Sequence, residues 1–110
     1  MIIEGFDLSR KVLIVAELSA NHGKDIQVAK ETIKAAKEIG ADAIKLQTFT
    51  PDTITMNCSN EHFIINNGSI WDGITLYNLY KKAYMPWEWQ IELQEYAKNL
   101  GLIFFSTPFD

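Results

Sequence analysis

Residues 11–50 read KVLIVAELSANHGKDIQVAKETIKAAKEIGADAIKLQTFT. The stretch opens with the unbroken apolar run KVLIVAE, which ends on Glu17, and runs without polar alternation are typical of strands in a parallel sheet. Asp25 then predicts the start of a helix, and Gly40 predicts its end. Residues 41–50 return to strand character. This order of strand, helix and strand predicts a βαβ unit with parallel strands.

Helical periodicity supports the same unit and predicts a second one. One face of the first helix is apolar and contains Ile26, Ala29, Ile33 and Ala36. Pro86 suits the first turn of a second long helix, and Gly101 suits its end. The apolar face of that helix contains Trp89, Leu93, Tyr96, Ala97 and Leu100. LIFFST then predicts a third buried strand.

Two segments lie outside this alternation. MIIEGF followed by DLSRK predicts a short strand and a turn that cap the sheet where its first long strand begins. Residues 51–84 are rich in Asn, Ser, Thr and Gly, but they are too apolar for plain disorder. We therefore expect an ordered excursion with a short helix in TLYNLYKKAY. Its aromatic residues and those of the next helix are interpreted mainly as packing, with contact between one of them and a ligand as the alternative: Trp71, Tyr77, Tyr80, Trp87 and Trp89.

The polar residues at the strand ends distinguish between two parallel architectures. A doubly wound fold usually carries a Gly-rich phosphate loop after its first strand, but here that turn reads ELSANHGK. Polar side chains instead end every predicted strand, as in a (β/α)₈ barrel. Such a barrel takes about 250 residues. The prediction is therefore an α/β fold, the N-terminal part of a TIM barrel with about three βα units, forming an incomplete domain over residues 1–110.

Composition excludes several classes of partner. The formal net charge of −4 and the absence of a basic stripe argue against nucleic acid and against an anionic membrane surface. No apolar run approaches the roughly 20 residues that cross a bilayer, and the first residues lack the basic start of a signal peptide. The single cysteine, Cys58, fits a reducing compartment. We expect a cytoplasmic protein with a small-molecule partner.

The candidate site consists of the strand-end residues and the first loop. Glu17, beside Asn21 and His22, suits a general base or a ligand for substrate hydroxyls; alternatively it caps the next helix while His22 bonds the loop. Lys45 interrupts an apolar strand, so it needs a nearby anion. That anion is a phosphate or carboxylate ligand, or Glu17 on the neighbouring strand, and the two can coexist. Alternatively, Lys45 forms a Schiff base with a carbonyl substrate. Gln47 lies on the same face as Lys45.

Two further features concern phosphate and metal binding. Thr107, at the end of the third strand, can offer a hydroxyl and a backbone N–H to a phosphate. Cys58 and His62 have metal-compatible spacing, but two residues in a loop without a third do not make a zinc site. No metal site is therefore predicted within these residues.

Three motifs carry a family resemblance that covers essentially the whole chain. AELSANHGK, GADAIKLQTFTPD and FFSTPFD, in this order, resemble the opening of the sialic acid synthase family. Members of that family condense phosphoenolpyruvate with an amino sugar to give nonulosonic acids. The intervening segment, SIWDGITLYNLYKKAYMPWEWQIELQEYAK, is most similar to that of the pseudaminic acid branch.

The resemblance implies a transferase for surface polysaccharide or flagellin glycans. In that family, carbon 3 of phosphoenolpyruvate attacks the sugar aldehyde, which a divalent Mn or Mg ion polarises. Water then adds at carbon 2, and phosphate leaves with cleavage of its C–O bond. It implies that Glu17 and Gln47 contact the sugar, that Lys45 and Thr107 hold phosphoenolpyruvate, and that Asn21 and His22 belong to the substrate site. It also places the metal ligands, and a C-terminal antifreeze-like domain that covers the partner barrel in a homodimer, beyond this chain.

Other functions also fit these residues. A sialic or legionaminic acid synthase differs only in the sugar, and a Schiff-base aldolase is a more distant possibility for a barrel with a buried lysine. A non-catalytic α/β module that binds a partner through its open sheet edge is the alternative of another class. In every case we expect a polypeptide of these 110 residues alone to lack synthase turnover.

Overall fold

The main sheet of the protein has three parallel strands. The computed structural model describes residues 1–110. In chain order its elements are β1 (Ile2–Ile3), β2 (Phe6–Asp7), β3 (Val15–Ser19), α1 (Ile26–Glu38), β4 (Ala43–Thr48), α2 (Pro51–Ile54), a 3₁₀ turn (Glu61–Phe63), α3 (Leu76–Ala83), α4 (Trp89–Asn99) and β5 (Ile103–Pro108).

Strand order in this sheet is β3-β4-β5, and both pairings are parallel. Lys45, in the central strand, lies opposite Glu17 on one side and Phe105 on the other. Gln47 lies opposite Thr107. Because side chains in register point to the same face of a sheet, these residues share one face. The predicted parallel βαβ arrangement is confirmed.

The opposite face of the sheet is covered by α1 and α4. Fully buried residues of this layer include Ile33 of α1, Leu93 of α4, and Ile44 and Leu46 of β4. The apolar faces predicted for both helices are confirmed, since every residue of the two predicted sets is buried or packs against this core. One face of the sheet is therefore filled by packing, and the polar face is left for a site.

Local signals at the helix ends are also confirmed. The Asp25 carboxylate caps α1 by accepting a hydrogen bond from the backbone N–H of Gln27 at 2.8 Å. Gly40 follows α1 with a φ of 95°, and Gly101 follows α4 with a φ of 72°. A left-handed residue after a helix favours glycine, which has no Cβ to clash.

Two predicted boundaries were wrong. The first long strand begins at Val15 and reaches Ser19, whereas the prediction placed it at residues 11–17. The cause is Asp42, whose carboxylate accepts hydrogen bonds from the Ile14 backbone N–H at 3.0 Å and from Lys11 Nζ at 2.7 Å. The side chains before Val15 are not buried: Val12 is 76% exposed.

The second wrong boundary lies before α4, which begins at Trp89 and not at Pro86. Pro86 instead opens a turn in which its carbonyl accepts a hydrogen bond from the Trp89 backbone N–H at 3.1 Å. Proline at the entry to a helix loses no hydrogen bond, because the first N–H groups of a helix have no intrahelical partner.

The two segments outside the alternation are ordered. β1 and β2 form an antiparallel hairpin, and Ile3 and Glu4 share a small cleft with Leu13 and Ile103 at the amino ends of the strands, where the cap was expected. The excursion contains the expected helix, α3, which Thr75 caps through the Asn78 backbone N–H. No helix in the structure is long and apolar enough to cross a membrane.

Candidate functional site

The polar face of the sheet is centred on an ion pair. Lys45 Nζ lies 2.7 Å from Glu17 Oε2, and the two side chains are 31% and 38% exposed respectively. The pair forms because β3 and β4 are parallel and place the two residues directly opposite each other. An internal partner for Lys45, one of the alternatives considered from the sequence, is therefore observed, and both groups remain reachable from solvent.

A second polar contact lies nearer the carboxyl ends of the strands. Ser19 Oγ donates a hydrogen bond to Gln47 Oε1 at 2.8 Å. This contact depends on a bulge in β3 between Glu17 and Ser19 and on a φ of 54° at Ser19, which lies in the left-handed region that non-glycine residues rarely adopt. The bond orients the Gln47 amide so that its Nε2 group remains free to donate to a ligand.

Thr107 completes this face from the third strand. It is half-buried and in register with Gln47. Its neighbour Ser106 points to the helix side, where its Oγ lies 2.7 Å from Thr48 Oγ1. The structure therefore brings together four of the predicted site residues on one face: Glu17, Lys45, Gln47 and Thr107.

The loop between β3 and α1 separates the other two predicted residues. Asn21 is exposed, and its Nδ2 donates to the Leu18 carbonyl at 3.3 Å. His22 is completely buried. Its Nδ1 accepts a hydrogen bond from the Lys24 backbone N–H at 3.0 Å, and its ring packs edge to face against Trp89 at 5.4 Å. Contact of His22 with a substrate stays a prediction.

Burial changes the ionisation of His22. Loss of solvent around the imidazole lowers the pKa of His22 below its ordinary value, and the positive charge of Lys24 lowers this pKa further. Because Nδ1 accepts a hydrogen bond, the neutral ring carries its proton on Nε2, and this atom has no hydrogen-bond partner. His22 is thus held as a neutral side chain behind the loop.

A cleft of about 490 Å³ adjoins the polar face. The first loop and β4 contribute Ser19, Asn21 and Gln47 to it, and the excursion contributes Trp71, Leu79 and Tyr80. A second depression, of about 510 Å³, lies beside α3 and contains none of the predicted site residues. We therefore place the candidate site at the cleft and the sheet face next to it.

Several contacts hold the excursion against the site. Lys24 Nζ donates to the Lys81 carbonyl at 3.0 Å and lies 3.8 Å from the centre of the Tyr84 ring. Tyr80 packs edge to face against Phe49 at 5.5 Å. These contacts join the first loop, the end of β4 and α3, so the cleft has a defined wall on each side.

Metal-binding groups are sparse in this chain. The structure contains no group of three or more His, Cys, Asp and Glu side chains that could hold a metal ion. Cys58 Sγ accepts a hydrogen bond from the Asn60 backbone N–H at 3.4 Å, and the His62 side chain is 81% exposed.

Sequence reasoning missed four residues of the site region. Ser19 was missed because its contact depends on the bulge, which has no local sequence signal. Trp71 and Tyr80 were interpreted as packing, and they line the cleft. Lys24 was not singled out, although a lysine next to Gly23 and His22 in a loop was a signal that the loop has a structural role.

Comparisons with known proteins identify relatives of this chain. Over 99% of this chain, its sequence is 50% identical to a pseudaminic acid synthase of Campylobacter jejuni. Over 87% of this chain, it is 54% identical to the pseudaminic acid synthase of Helicobacter pylori. An N,N'-diacetyllegionaminic acid synthase of Legionella pneumophila is 40% identical over 93% of the chain. The chain spans 32%, 28% and 28%, respectively, of the lengths of these relatives.

A solved structure gives the same result for the fold. The crystal structure of an N-acetylneuraminic acid synthetase from Leptospira borgpetersenii, in complex with citrate, matches 90% of this chain and 30% of its own chain. The TM-score is 0.68 at 29% sequence identity. The prediction of part of a TIM barrel is thereby confirmed. Since the model of the NeuB family also matches residues 32–110, this chain belongs to the NeuB family.

Proposed function

We propose that the protein containing this chain is a phosphoenolpyruvate-dependent nonulosonic acid synthase of the pseudaminic acid type. It condenses phosphoenolpyruvate with a 2,4-diacetamido-trideoxyhexose and releases phosphate. The observation that carries the proposal is the Glu17–Lys45 pair on a sheet face that also holds Gln47 and Thr107. A cation beside hydroxyl and amide groups suits an anionic enol phosphate and a polyhydroxylated sugar.

The choice of sugar rests on similarity. Identity falls from 50–54% for the pseudaminic acid synthases to 40% for the Legionella legionaminic acid synthase. It falls to 31% for an N-acetylneuraminate-9-phosphate synthase of mouse. A synthase for legionaminic or sialic acid is the second candidate, because the same family contains all three activities.

The proposed roles follow the position of each residue. Lys45 and Thr107 hold the phosphate and carboxylate of phosphoenolpyruvate, since they offer a charge-assisted and a neutral hydrogen bond. Glu17 accepts hydrogen bonds from sugar hydroxyl groups, and the Nε2 group of Gln47 donates a hydrogen bond to the sugar. Asn21 contributes from the cleft, where it is exposed.

The divalent Mn or Mg ion that the family resemblance implies is not assigned to these residues. The chain lacks a group of three or more His, Cys, Asp and Glu side chains that could hold a metal ion. The residues present therefore do not fit a metal centre, and the proposed roles are those of binding and orientation.

Assembly and location complete the proposal. We place the protein in the cytoplasm, where phosphoenolpyruvate is available, as a homodimer whose products enter surface polysaccharide or flagellin glycans.

The test is a condensation assay with the purified full-length protein that carries this sequence. It is incubated with phosphoenolpyruvate, Mn²⁺ or Mg²⁺, and one of three sugars: the diacetamido-trideoxyhexose stereoisomer that leads to pseudaminic acid, the stereoisomer that leads to legionaminic acid, or the precursor of N-acetylneuraminic acid. Phosphate release and the mass of the product are measured. We expect turnover that requires phosphoenolpyruvate and is fastest with the pseudaminic acid precursor.

Each other outcome has a defined meaning. Faster turnover with another precursor would move the protein to that branch of the family. Borohydride trapping of a keto acid on Lys45 would favour a Schiff-base aldolase. Absence of condensation with every precursor would contradict the proposal.

A further inference from the structure

The cleft beside Gln47 has two chemically different walls. Its polar wall contains Ser19, Asn21 and Gln47. The wall from the excursion also includes Lys82, but its large side chains are mainly apolar, and the apolar wall is defined by Trp71, Leu79 and Tyr80. The Glu17–Lys45 pair lies on the same sheet face as Gln47. A ligand in this cleft therefore meets hydrogen-bonding groups on one side and rings and methyl groups on the other.

The apolar wall is held in place by specific contacts. Tyr80 is fixed by its edge-to-face packing against Phe49. Trp71 follows a loop whose backbone N–H groups at Asn67, Gly68 and Ser69 all donate to the Asp72 carboxylate, at 3.0–3.2 Å. The Trp71 side chain nevertheless remains 43% exposed.

An indole that is held by its loop but left half-solvated is available to a ligand. Aromatic and aliphatic side chains favour apolar substituents, because burying a methyl group removes its surface from water. The proposed sugar carries three methyl groups, one on each acetamido group and one at the deoxygenated carbon 6. The Nε2 group of Gln47, free of other partners, suits an acetamido carbonyl.

We infer that Trp71, Leu79 and Tyr80 form the surface that selects a methyl-rich diacetamido-trideoxyhexose over a more hydroxylated amino sugar. This inference rests on the proposed function and adds the specificity-determining residues to it. Hydrophobic pockets separate ligands that differ by one methylene by about tenfold to two-hundredfold. A wall of three such side chains is therefore sufficient to discriminate a diacetamido-trideoxyhexose from an amino sugar that carries hydroxyl groups in place of these methyl-bearing groups.

The test compares variants of the full-length protein: Trp71→Ala, Leu79→Ala and, as a matched control, Ile70→Ala. Ile70 is 87% exposed and does not line the cleft. Values of kcat/KM are measured for the diacetamido-trideoxyhexose and for the N-acetylneuraminic acid precursor. We expect Trp71→Ala and Leu79→Ala to reduce kcat/KM for the diacetamido-trideoxyhexose, relative to kcat/KM for the N-acetylneuraminic acid precursor, about tenfold or more. KM for phosphoenolpyruvate should stay within about twofold, and Ile70→Ala should behave as wild type.

The failures are distinguishable. If the wild-type protein condenses the sugar and both wall variants keep its selectivity, the inference is wrong and the proposed function stands. If the variants lose affinity for phosphoenolpyruvate and sugar alike, the wall supports the fold and the specificity role is overturned. If the wild-type protein condenses none of the sugars, the proposed function itself fails. Trp71→Phe, which keeps an aromatic ring, should restore most of the selectivity.

Discussion

The Glu17–Lys45 pair is too solvated to be retained for stability alone. Both side chains are about one third exposed, and pairs in such positions contribute at most about 1 kcal/mol to folding. A weak pair is also easily exchanged. An anionic ligand that approaches Lys45 can replace Glu17 at small cost, and the released carboxylate is then free to accept from a sugar hydroxyl.

We expect Lys45→Met in the full-length protein to raise KM for phosphoenolpyruvate about tenfold or more. The reason is the loss of a charge-assisted hydrogen bond of about 1.5–3 kcal/mol, where 1.4 kcal/mol corresponds to tenfold. Initial rates are measured against phosphoenolpyruvate at saturating sugar. Lys34→Met is the control, because Lys34 lies 3.8 Å from Glu38 on the surface of α1. An unchanged KM in Lys45→Met would remove this residue from the site.

The stability of the folded chain depends on pH through His22 in the first loop. Its folded-state pKa is lowered from 6.5 by burial and by Lys24, so the unfolded chain binds a proton more readily than the folded chain. Stability from the neutral ring is therefore fully present above about pH 6.5 and is lost as pH falls toward the lowered pKa. Protonation of Nδ1 would also remove the hydrogen bond from the Lys24 backbone N–H.

We expect His22→Asn to flatten the decrease in stability between pH 7.5 and 5.5. Asparagine keeps an acceptor for the Lys24 N–H but does not titrate, so the slope changes even if the absolute stability is lower. The free energy of unfolding is measured by denaturant titration at several pH values. His62→Gln is the control, since the His62 side chain is 81% exposed. Equal slopes in His22→Asn and wild type would show that His22 does not carry this dependence.

Among the secondary-structure elements, α3 is held against the first loop by contacts of Lys24. Its Nζ bonds the Lys81 carbonyl near the end of α3 and contacts the Tyr84 ring that follows. A cation suits this position because the carboxyl end of a helix carries partial negative charge. The apolar wall of the cleft therefore depends on a residue outside the excursion.

Replacing Lys24 by asparagine should loosen α3. Asparagine tolerates the left-handed φ of 58° at this position, so the loop itself is not strained. We expect amide hydrogen exchange in residues 79–84 to accelerate several-fold, together with a higher KM for the sugar. Lys81→Gln is the control, because glutamine has a helix propensity close to that of lysine and only the backbone carbonyl of Lys81 takes part in the contact. Unchanged exchange in Lys24→Asn would exclude the fastening role.

The boundaries of the helices and strands could be predicted from the sequence only where local residues set them. Both ends of α1 and the C-terminal end of α4 were predictable because caps and glycine stops act through residues a few positions apart: Asp25 with Gln27, and Gly101 after α4. The start of β3 was not, because it depends on Asp42, far along the chain, which binds the Ile14 N–H.

The candidate site divides in the same way. Alternation and parallel pairing were enough to predict that Lys45 and Gln47 share a face and that Lys45 can meet Glu17. The Ser19–Gln47 bond could not be predicted, since it needs the bulge after Glu17. The position of Trp71 over the cleft could not be predicted either, because it depends on how the excursion folds back.

At the scale of the whole molecule, one face of the sheet lacks a covering layer. α1 and α4 cover one face, while the other exposes apolar side chains between its polar groups: Phe105 is 40% exposed and Val15 is 39% exposed. β3 and β5 are both edge strands. Exposed apolar faces and unpaired edges promote association between chains.

We therefore expect a polypeptide of just these 110 residues to self-associate and to show no condensation, even with added Mn²⁺ or Mg²⁺. Its elution on size-exclusion chromatography should correspond to species larger than 12.5 kDa and should depend on concentration.

Phe105→Gln should reduce association, whereas Ile39→Gln, a change at an 86% exposed residue outside the sheet, should not. A discrete, concentration-independent oligomer would instead support a binding module that uses its sheet edge. A monomer with metal-dependent turnover would contradict the expectation, because the site would then be complete without a second layer over the polar face.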